Sequence, residues 1–135
     1  MARLYLLDTN IASFIIREDE QVVKRFNSVR RELVHISVIT EAELLFGIAR
    51  KPEAVRLHAL VREFLNSSTI LEWTSVAASQ FAFTRASRER AGLLLGDMDM
   101  MIAAHALAED AILVTNDNAF RRIDRLRVED WTSAL

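Results

Sequence analysis

The run LYLLD, residues Leu4 to Asp8, consists of four apolar or aromatic residues that end abruptly in an acid. A second run of this kind, AILVT, occupies residues Ala111 to Thr115 near the other end of the chain. Short continuous apolar runs are typical of parallel strands that are buried on both faces of a sheet. The two runs therefore predict two buried strands of a parallel sheet.

Three shorter runs extend the predicted sheet to about five strands. They are LVHIS (Leu33 to Ser37), TILEW (Thr69 to Trp73) and LRVED (Leu126 to Asp130), and we expect the last to lie at an edge. Between the runs, apolar residues recur every three or four positions, as they do from Leu57 to Leu65, which indicates helices. Alternating strands and helices predict an α/β fold, a three-layer sandwich around a central, mainly parallel sheet.

Length and composition narrow the class of protein. A chain of 135 residues has the length of one domain, so residues 1–135 are expected to form a single domain. The net charge of -2 argues against a broad, nonspecific nucleic-acid surface. No apolar run reaches the roughly 18 residues of a membrane span, and the first residues do not have the pattern of a signal peptide. We expect a cytoplasmic protein with no membrane association.

The residue types also limit the chemistry and suggest an assembly. Cysteine is absent, which excludes disulfides and thiolate metal sites. Hydrophobic residues make up 51% of the chain, slightly more than is usual for a soluble protein. We interpret the surplus as a subunit interface and expect a homodimer.

Four acidic residues occupy positions that the predicted fold brings to one edge. Asp8 directly follows the first strand, and Asp117 follows the strand AILVT after one intervening residue. Glu43 is expected in the first turn of the helix beginning TEAELLFG, and Asp99 in the first turn of DMDMMIAAHA. Ligands of open α/β sheets bind beyond the carboxyl ends of the strands. If both helices start at that edge, the four carboxylates converge there.

Each acid also has an ordinary structural explanation. Thr40 and Glu43 match the T-x-x-E capping box, in which the glutamate binds the N–H of the capping residue. Asp97 is expected to be the N-cap of its helix, and Asp99 a partner of the positive helix end. The two acids at strand ends fit turn chemistry. Helix capping or turn chemistry therefore explains any single acid, and the functional interpretation rests on their shared placement.

A cluster of four carboxylates requires a cation. Two carboxylates ~5 Å apart at an effective dielectric of ~20 repel each other by about 3 kcal/mol. Oxygen ligands without cysteine favour a hard ion, so the predicted cofactor is Mg²⁺ or Mn²⁺, as one or two ions. Such an ion activates water and offsets charge on a phosphodiester. His105, in the apolar run IAAHAL, is expected to be a core residue, and Thr115 is a candidate partner of a carboxylate or of a metal-bound water.

Four motifs in order along the chain carry a resemblance to a known family. They are LDTNI, ISVITEAELLFG, DMDMMIAAHAL and LVTNDNAF, with RVEDW near the end. Together they resemble a PIN-domain ribonuclease, specifically a VapC-type toxin of a bacterial toxin–antitoxin pair. The resemblance implies a metal-dependent endoribonuclease, usually dimeric, that cleaves structured RNA such as tRNA or rRNA and is inhibited by a cognate antitoxin.

The resemblance also assigns roles to individual residues. It implies a set of catalytic and metal-binding acids, namely Asp8, Glu43, Asp99 and Asp117. It implies a second set of supporting polar groups, namely Thr9, Asn10, Thr115 and Asn116. Asp97 departs from the family pattern, in which a proline or other non-acidic residue is common, and is expected to cap its helix with a smaller chance of contact to metal-bound water.

Two other functions remain open at this point. A receiver-like, Mg²⁺-binding signalling domain has a similar length and an acidic pocket at the same sheet edge, although LEWTS lacks an acceptor aspartate. A non-catalytic binding module, with the acids serving only as caps, is the other alternative. For the expected dimer and antitoxin contacts, the candidate surface residues are Phe14, Ile15, Ile16 and Phe46.

Overall fold

A computed structural model describes residues 2–133 and contains a five-stranded parallel sheet. Its strands are β1 (Tyr5–Leu7), β2 (Val34–Ser37), β3 (Thr69–Leu71), β4 (Ile112–Val114) and β5 (Arg127–Glu129). Their order across the sheet is β3-β2-β1-β4-β5, and every pair is parallel. The five predicted strands are confirmed, including the position of β5 at an edge.

Six α-helices flank the sheet in the described residues. They are α1 (Thr9–Ile16), α2 (Glu20–Ser28), α3 (Val38–Ala49), α4 (Val55–Ser67), α5 (Ser75–Arg90) and α6 (Asp97–Ala108). Two short 3₁₀ helices, Arg31–Leu33 and Asn118–Arg122, precede β2 and β5. None of the helices within residues 2–133 has the length and apolarity that crossing a membrane would need.

The helices form two layers because successive strand residues face opposite sides of the sheet. On one side Leu7 belongs to a buried cluster with residues of α1, α2, α3 and α4. On the other side Leu6 packs with residues of α6 and with Phe120. Helix α5 packs on α6. This arrangement confirms the predicted three-layer α/β sandwich.

The connections between elements explain how helix starts reach one edge of the sheet. Helices α1 and α3 begin within two residues of the ends of β1 and β2, so both start at the carboxyl edge. Helix α6 precedes β4, and Ile112 N–H donates to the Leu4 carbonyl at the opposite, amino edge. Because α6 therefore ends at the amino edge, its first turn lies at the carboxyl edge. Three helix starts and the strand ends thus surround one crevice.

The expected contact surface on α1 is largely covered. Ile16 is buried, and Phe14 and Ile15 are partly buried and pack against the core. The prediction that these three side chains form an exposed surface is wrong, because α2 and α4 pack against α1 and cover them. Phe46 on α3 is 61% exposed, as expected of a contact residue.

Candidate active site

Asp8 stands at the junction of β1 and α1. It is the N-cap of α1, and its Oδ1 accepts a hydrogen bond of 2.9 Å from Ile11 N–H. Its Oδ2 accepts a hydrogen bond from the hydroxyl of Thr115, which follows β4. The side chain is buried, with 5% of its surface exposed. A buried acid that is capped on one oxygen and bound by a neighbouring strand end is held firmly in one orientation.

Glu43 points into the crevice from α3 and is bound by the first residue of α1. The Thr9 hydroxyl donates to Glu43 Oε1 at 2.6 Å, and Thr9 Oγ1 lies 3.1 Å from Thr40 Oγ1. The predicted capping box is wrong. Ser37 is the N-cap of α3, where its Oγ accepts from Ile39 N–H, so Thr40 is inside the helix and Glu43 lies in its second turn.

Asp99 lies in the first turn of α6, as predicted, and is half-buried. The prediction that Asp97 caps this helix is wrong, because Gly96 is the N-cap and Asp97 is the first helical residue. Asp97 instead accepts a hydrogen bond of 2.6 Å from Arg85 of α5, in an ion pair at the surface. The two acids therefore have different surroundings, and Asp97 is engaged by an arginine.

Asp117 caps the 3₁₀ helix Asn118–Arg122 through a hydrogen bond from Ala119 N–H to its Oδ1. Its own N–H donates to Thr115 Oγ1 at 3.1 Å. Because the Thr115 hydroxyl also donates to Asp8, this one side chain connects both strand-end acids. The supporting residues Asn10 and Asn116 lie at the surface, in the first turn of α1 and in the bend before Asp117.

The pKa values indicate that the four acids share one electrostatic environment. Burial raises the pKa of Asp8 to about 6, against the lowering effect of its hydrogen bonds, and the charges of Asp99 and Asp117 raise it further. Burial also raises the pKa of Asp99, as do the charges of Glu43 and Asp117. The ionised forms of Asp8 and Asp99 are thus disfavoured by the charges of their acidic neighbours as well as by burial.

These acids face one another without forming a closed cage. Within residues 2–133, no three acidic or histidine side chains already stand in a metal-binding arrangement. Glu43 is turned to Thr9, and Asp117 to its own helix cap. A carboxylate oxygen that accepts one hydrogen bond keeps a second lone pair, so these contacts do not exclude cation binding.

The donor chemistry fits a hard divalent ion. The crevice offers carboxylate and hydroxyl oxygens, and the chain has no cysteine. His105 is fully buried and serves the core. Its Nε2 lies 3.0 Å from the Glu72 carbonyl, and its Nδ1 lies 2.7 Å from Ser37 Oγ. Both ring nitrogens are thus occupied, which confirms His105 as a hydrogen-bonded core residue. Oxygen donors of this kind suit Mg²⁺ or Mn²⁺ better than Zn²⁺.

Comparison with known proteins agrees with this fold and site. A family model described as the PIN domain matches residues 5–126. Ribonuclease VapC2 of Haemophilus influenzae is 37% identical over 129 residues, which cover 94% of this chain and 97% of that protein. The tRNA(fMet)-specific endonuclease VapC of Shigella flexneri is 33% identical over 129 residues, covering 95% of this chain and 98% of that protein.

Solved structures give the same result. The DNA-bound VapBC structure from Salmonella typhimurium contains a chain with a TM-score of 0.89 and 34% identity, covering 96% of this chain and 99% of that one. VapBC2 from Rickettsia felis, bound to a promoter DNA fragment, gives a TM-score of 0.88 at 30% identity, over 95% and 98% of the two chains. The chain belongs to the PIN-domain family, and within it to the VapC ribonucleases.

Sequence reasoning missed two contacts in the crevice. It did not anticipate that Thr9 and Thr40 bind each other and hold Glu43, nor that Arg85 neutralises Asp97. The spacing of Thr40 and Glu43 carried a signal, because residues three apart share one helix face. The partner on that face comes from a different helix, which no local pattern identifies.

Proposed function

We propose that this protein is an endoribonuclease that requires Mg²⁺ or Mn²⁺ and hydrolyses phosphodiester bonds of structured RNA such as tRNA or rRNA. The observation that carries the proposal is the convergence of Asp8, Glu43, Asp99 and Asp117 on one crevice, where the charges of neighbouring acids raise the pKa values of Asp8 and Asp99. A bound cation offsets the electrostatic repulsion between the carboxylates of such a cluster. Belonging to the VapC ribonucleases supports RNA as the substrate.

The four acids would together hold one or two ions. Each acid comes from a different part of the fold. When bound, the ion supplies an activated water and offsets the charge that develops on the phosphodiester. Asp8 has the most rigid position because its oxygens are bound by Ile11 and Thr115. Asp99 sits in the positive first turn of α6, which favours its ionised form against the surrounding acids. The supporting hydroxyls of Thr9 and Thr115 orient Glu43 and Asp8.

We further propose that the protein makes two protein contacts in the cytoplasm, one with a second copy of itself and one with an antitoxin. A homodimer would cover exposed apolar side chains, of which Val76 and Phe83 lie seven residues apart on one side of α5. A cognate antitoxin would hold the nuclease inactive. The similarity to chains from VapBC complexes supports such a partner.

The decisive experiment is RNA cleavage by the purified chain, freed of any bound partner. Structured RNA should be cut with Mg²⁺ or Mn²⁺ and left intact in excess EDTA. Asp99→Asn should remove cleavage, and Asp110→Asn, an exposed acid at the amino edge of the sheet, serves as the matched control. Cleavage that persists in EDTA would overturn metal dependence, and no cleavage under any condition would favour a non-catalytic binding module.

The receiver-like alternative is not supported. Receiver domains have the strand order 2-1-3-4-5, whereas this sheet has the order β3-β2-β1-β4-β5. The chain also matches the PIN-domain model over residues 5–126, and the PIN domain is a different family from the receiver domains.

A further inference from the structure

A cavity of about 380 Å³ opens beside the acid crevice, between α1, α3 and α4. Thr9 and Glu43, which are hydrogen-bonded to each other in the crevice, also line this cavity, so the two spaces adjoin. A substrate chain whose reactive bond lies at the acids has to leave the crevice in some direction. The cavity provides one such path.

Two polar helix stripes lead from the acids along this path. Asn10 and Ser13 of α1 and its C-cap residue Arg17 line the cavity at spacings of three and four residues. Glu43 and Gly47 of α3 also line the cavity, one helical turn apart, and are followed by the C-cap residue Arg50 and by Lys51 just beyond the helix. Both helices start at the carboxyl edge of the sheet, so their stripes run away from the acids together. Seven residues of helix cover about 10 Å, which places the cations about that far from the acidic end.

The far end of the cavity is positively charged. Arg17, Arg50 and Lys51 are exposed, and none forms an ion pair within the part of the chain that the structure describes. Among residues 2–133, Glu43 is the single acid that lines the cavity. The chain as a whole is acidic, with a net charge of -2. Three cations next to an acid cluster therefore form a local field that attracts anions.

The guanidinium groups are stacked on aromatic rings. Arg17 lies over the Phe14 ring at 5.0 Å, and Arg50 lies over the Phe46 ring at 4.8 Å. Phe46 is 61% exposed, so part of its ring remains open. Phosphates are bound by arginine, and unstacked bases are bound by aromatic rings and by guanidinium planes. Arg50 lines the cavity and lies over the Phe46 ring next to it, so this region offers both kinds of contact that single-stranded RNA uses.

Gly47 provides an independent observation. It lies in the interior of α3, where glycine disfavours the helix, and a Cβ at this position would meet no atom of the described part of the chain within 4 Å. Neither backbone conformation nor packing against a neighbour requires the missing side chain. Gly47 lines the cavity one turn after Glu43, so its lack of a side chain keeps the path from the acids open.

From these features we infer that the cavity between α1, α3 and α4 is a substrate subsite that binds a phosphate and a neighbouring base of single-stranded RNA next to the cleaved bond. The inference rests on the proposed ribonuclease function and adds to it the surface on which the RNA lies. The Arg17, Arg50 and Lys51 side chains bind phosphate oxygens, and the exposed Phe46 ring stacks with a base.

Charge removal provides the first test. The triple variant Arg17→Gln, Arg50→Gln, Lys51→Gln should raise the KM for structured RNA on the order of tenfold at low salt and lower the salt dependence of binding by about two to three in slope. The defect should shrink as the substrate is shortened to a dinucleotide. The control triple variant Lys24→Gln, Arg62→Gln, Arg90→Gln removes three exposed charges outside the cavity and should leave the KM unchanged.

Filling the cavity provides a second test, in which the stability of the protein should rise while its binding of RNA weakens. Gly47→Ala and Gly47→Leu should raise the Tm, because both residues favour the helix and an added Cβ has room. Gly47→Leu should nevertheless raise the KM for RNA. A stabilised variant with impaired RNA binding is not explained by loss of structure.

The outcomes separate the inference from the proposed function. If the wild-type protein does not cleave RNA, the proposed function fails and the subsite fails with it. If the wild-type protein cleaves RNA but the charge and Gly47 variants keep its KM and salt slope, the subsite alone is overturned. If these variants weaken antitoxin binding and leave RNA binding unchanged, the cavity is a protein-binding groove and the inference is wrong.

Discussion

Replacing Asp8 by asparagine should stabilise the metal-free protein while removing its activity. Asp8 is buried beside other acids, and its pKa is raised from 3.8 to about 6. The folded state therefore keeps the proton to a higher pH than the unfolded chain does. The stability that comes from the protonated form is present at low pH and is lost as the pH rises through the interval between these two values.

The size of the effect follows from the two pKa values. A rise of about two units corresponds to about 3 kcal/mol of free energy of unfolding, which the wild-type protein lacks above about pH 7. Asparagine carries no charge, and it caps helices as well as aspartate does, so the bond from Ile11 N–H is kept. The Asp8→Asn protein should be up to about 3 kcal/mol more stable at neutral pH, or about 10 °C in Tm.

Thermal and urea melting in EDTA measure this difference directly. The gap in stability between Asp8→Asn and wild type should shrink toward zero as the pH falls to about 4, where the wild-type carboxyl is protonated. Asp124→Asn, an exposed acid in the loop before β5, is the control and should show no such gap. A variant that is no more stable than wild type at neutral pH would refute the assignment of Asp8 as a strained acid in the cluster.

Asp97, Thr115 and His105 each support one further prediction. Asp97→Asn should retain RNA cleavage and lose less than ~1 kcal/mol in urea melts, because its ion pair with Arg85 is exposed; loss of cleavage would place Asp97 in the catalytic cluster. Thr115→Val should raise the Asp8 pKa further, as followed by NMR titration, because it removes a hydrogen bond to the carboxylate; an unchanged pKa contradicts the contact. Burial lowers the His105 pKa below 6.5, so the stability that neutral His105 contributes is lost as the pH falls below that value. The difference in stability between wild type and His105→Gln should therefore narrow from about pH 7 to about pH 5. A difference that widens would mean that the folded protein favours charged His105.

The sheet was predictable because its signals are local. LYLLD and AILVT are continuous apolar runs up to their last residues, and runs of this length are typical of strands buried on both faces. Asp8 and Asp117 then lie at the carboxyl edge by necessity, since they follow parallel strands. Asp99 reaches the same edge because α6 precedes β4, which follows from chain order alone.

The starts of α3 and α6 were not predictable from local patterns. The T-x-x-E signature at Thr40 favoured a helix start near that residue, but β2 pairs with β1 as far as Ile36, and α3 begins at once after Ser37. The end of the strand, set by sheet pairing, therefore decides the cap. The same signature instead places Thr40 and Glu43 on one face, where Thr9 from α1 binds them. That contact joins residues 34 apart in sequence.

Asp97 was assigned wrongly for a related reason. Aspartate is a favoured N-cap, and Gly96 also has the freedom to occupy that position. The presence of Arg85 on the adjacent helix α5 gives Asp97 a partner in the first helical turn instead. The packing of α5 on α6 is a tertiary feature, and sequence patterns within α6 contain no information about it.

The central claim is that Asp8, Glu43, Asp99 and Asp117 together form one site for divalent cations. Mn²⁺ titration followed by electron paramagnetic resonance tests this claim most directly. The wild-type protein should bind one or two Mn²⁺ ions per chain, and Mg²⁺ should displace them. Asp99→Asn should lose this binding, whereas the control Asp110→Asn should retain it. Wild-type protein that binds no Mn²⁺, or Asp99→Asn protein that binds it as tightly as wild type, would contradict the shared cation site.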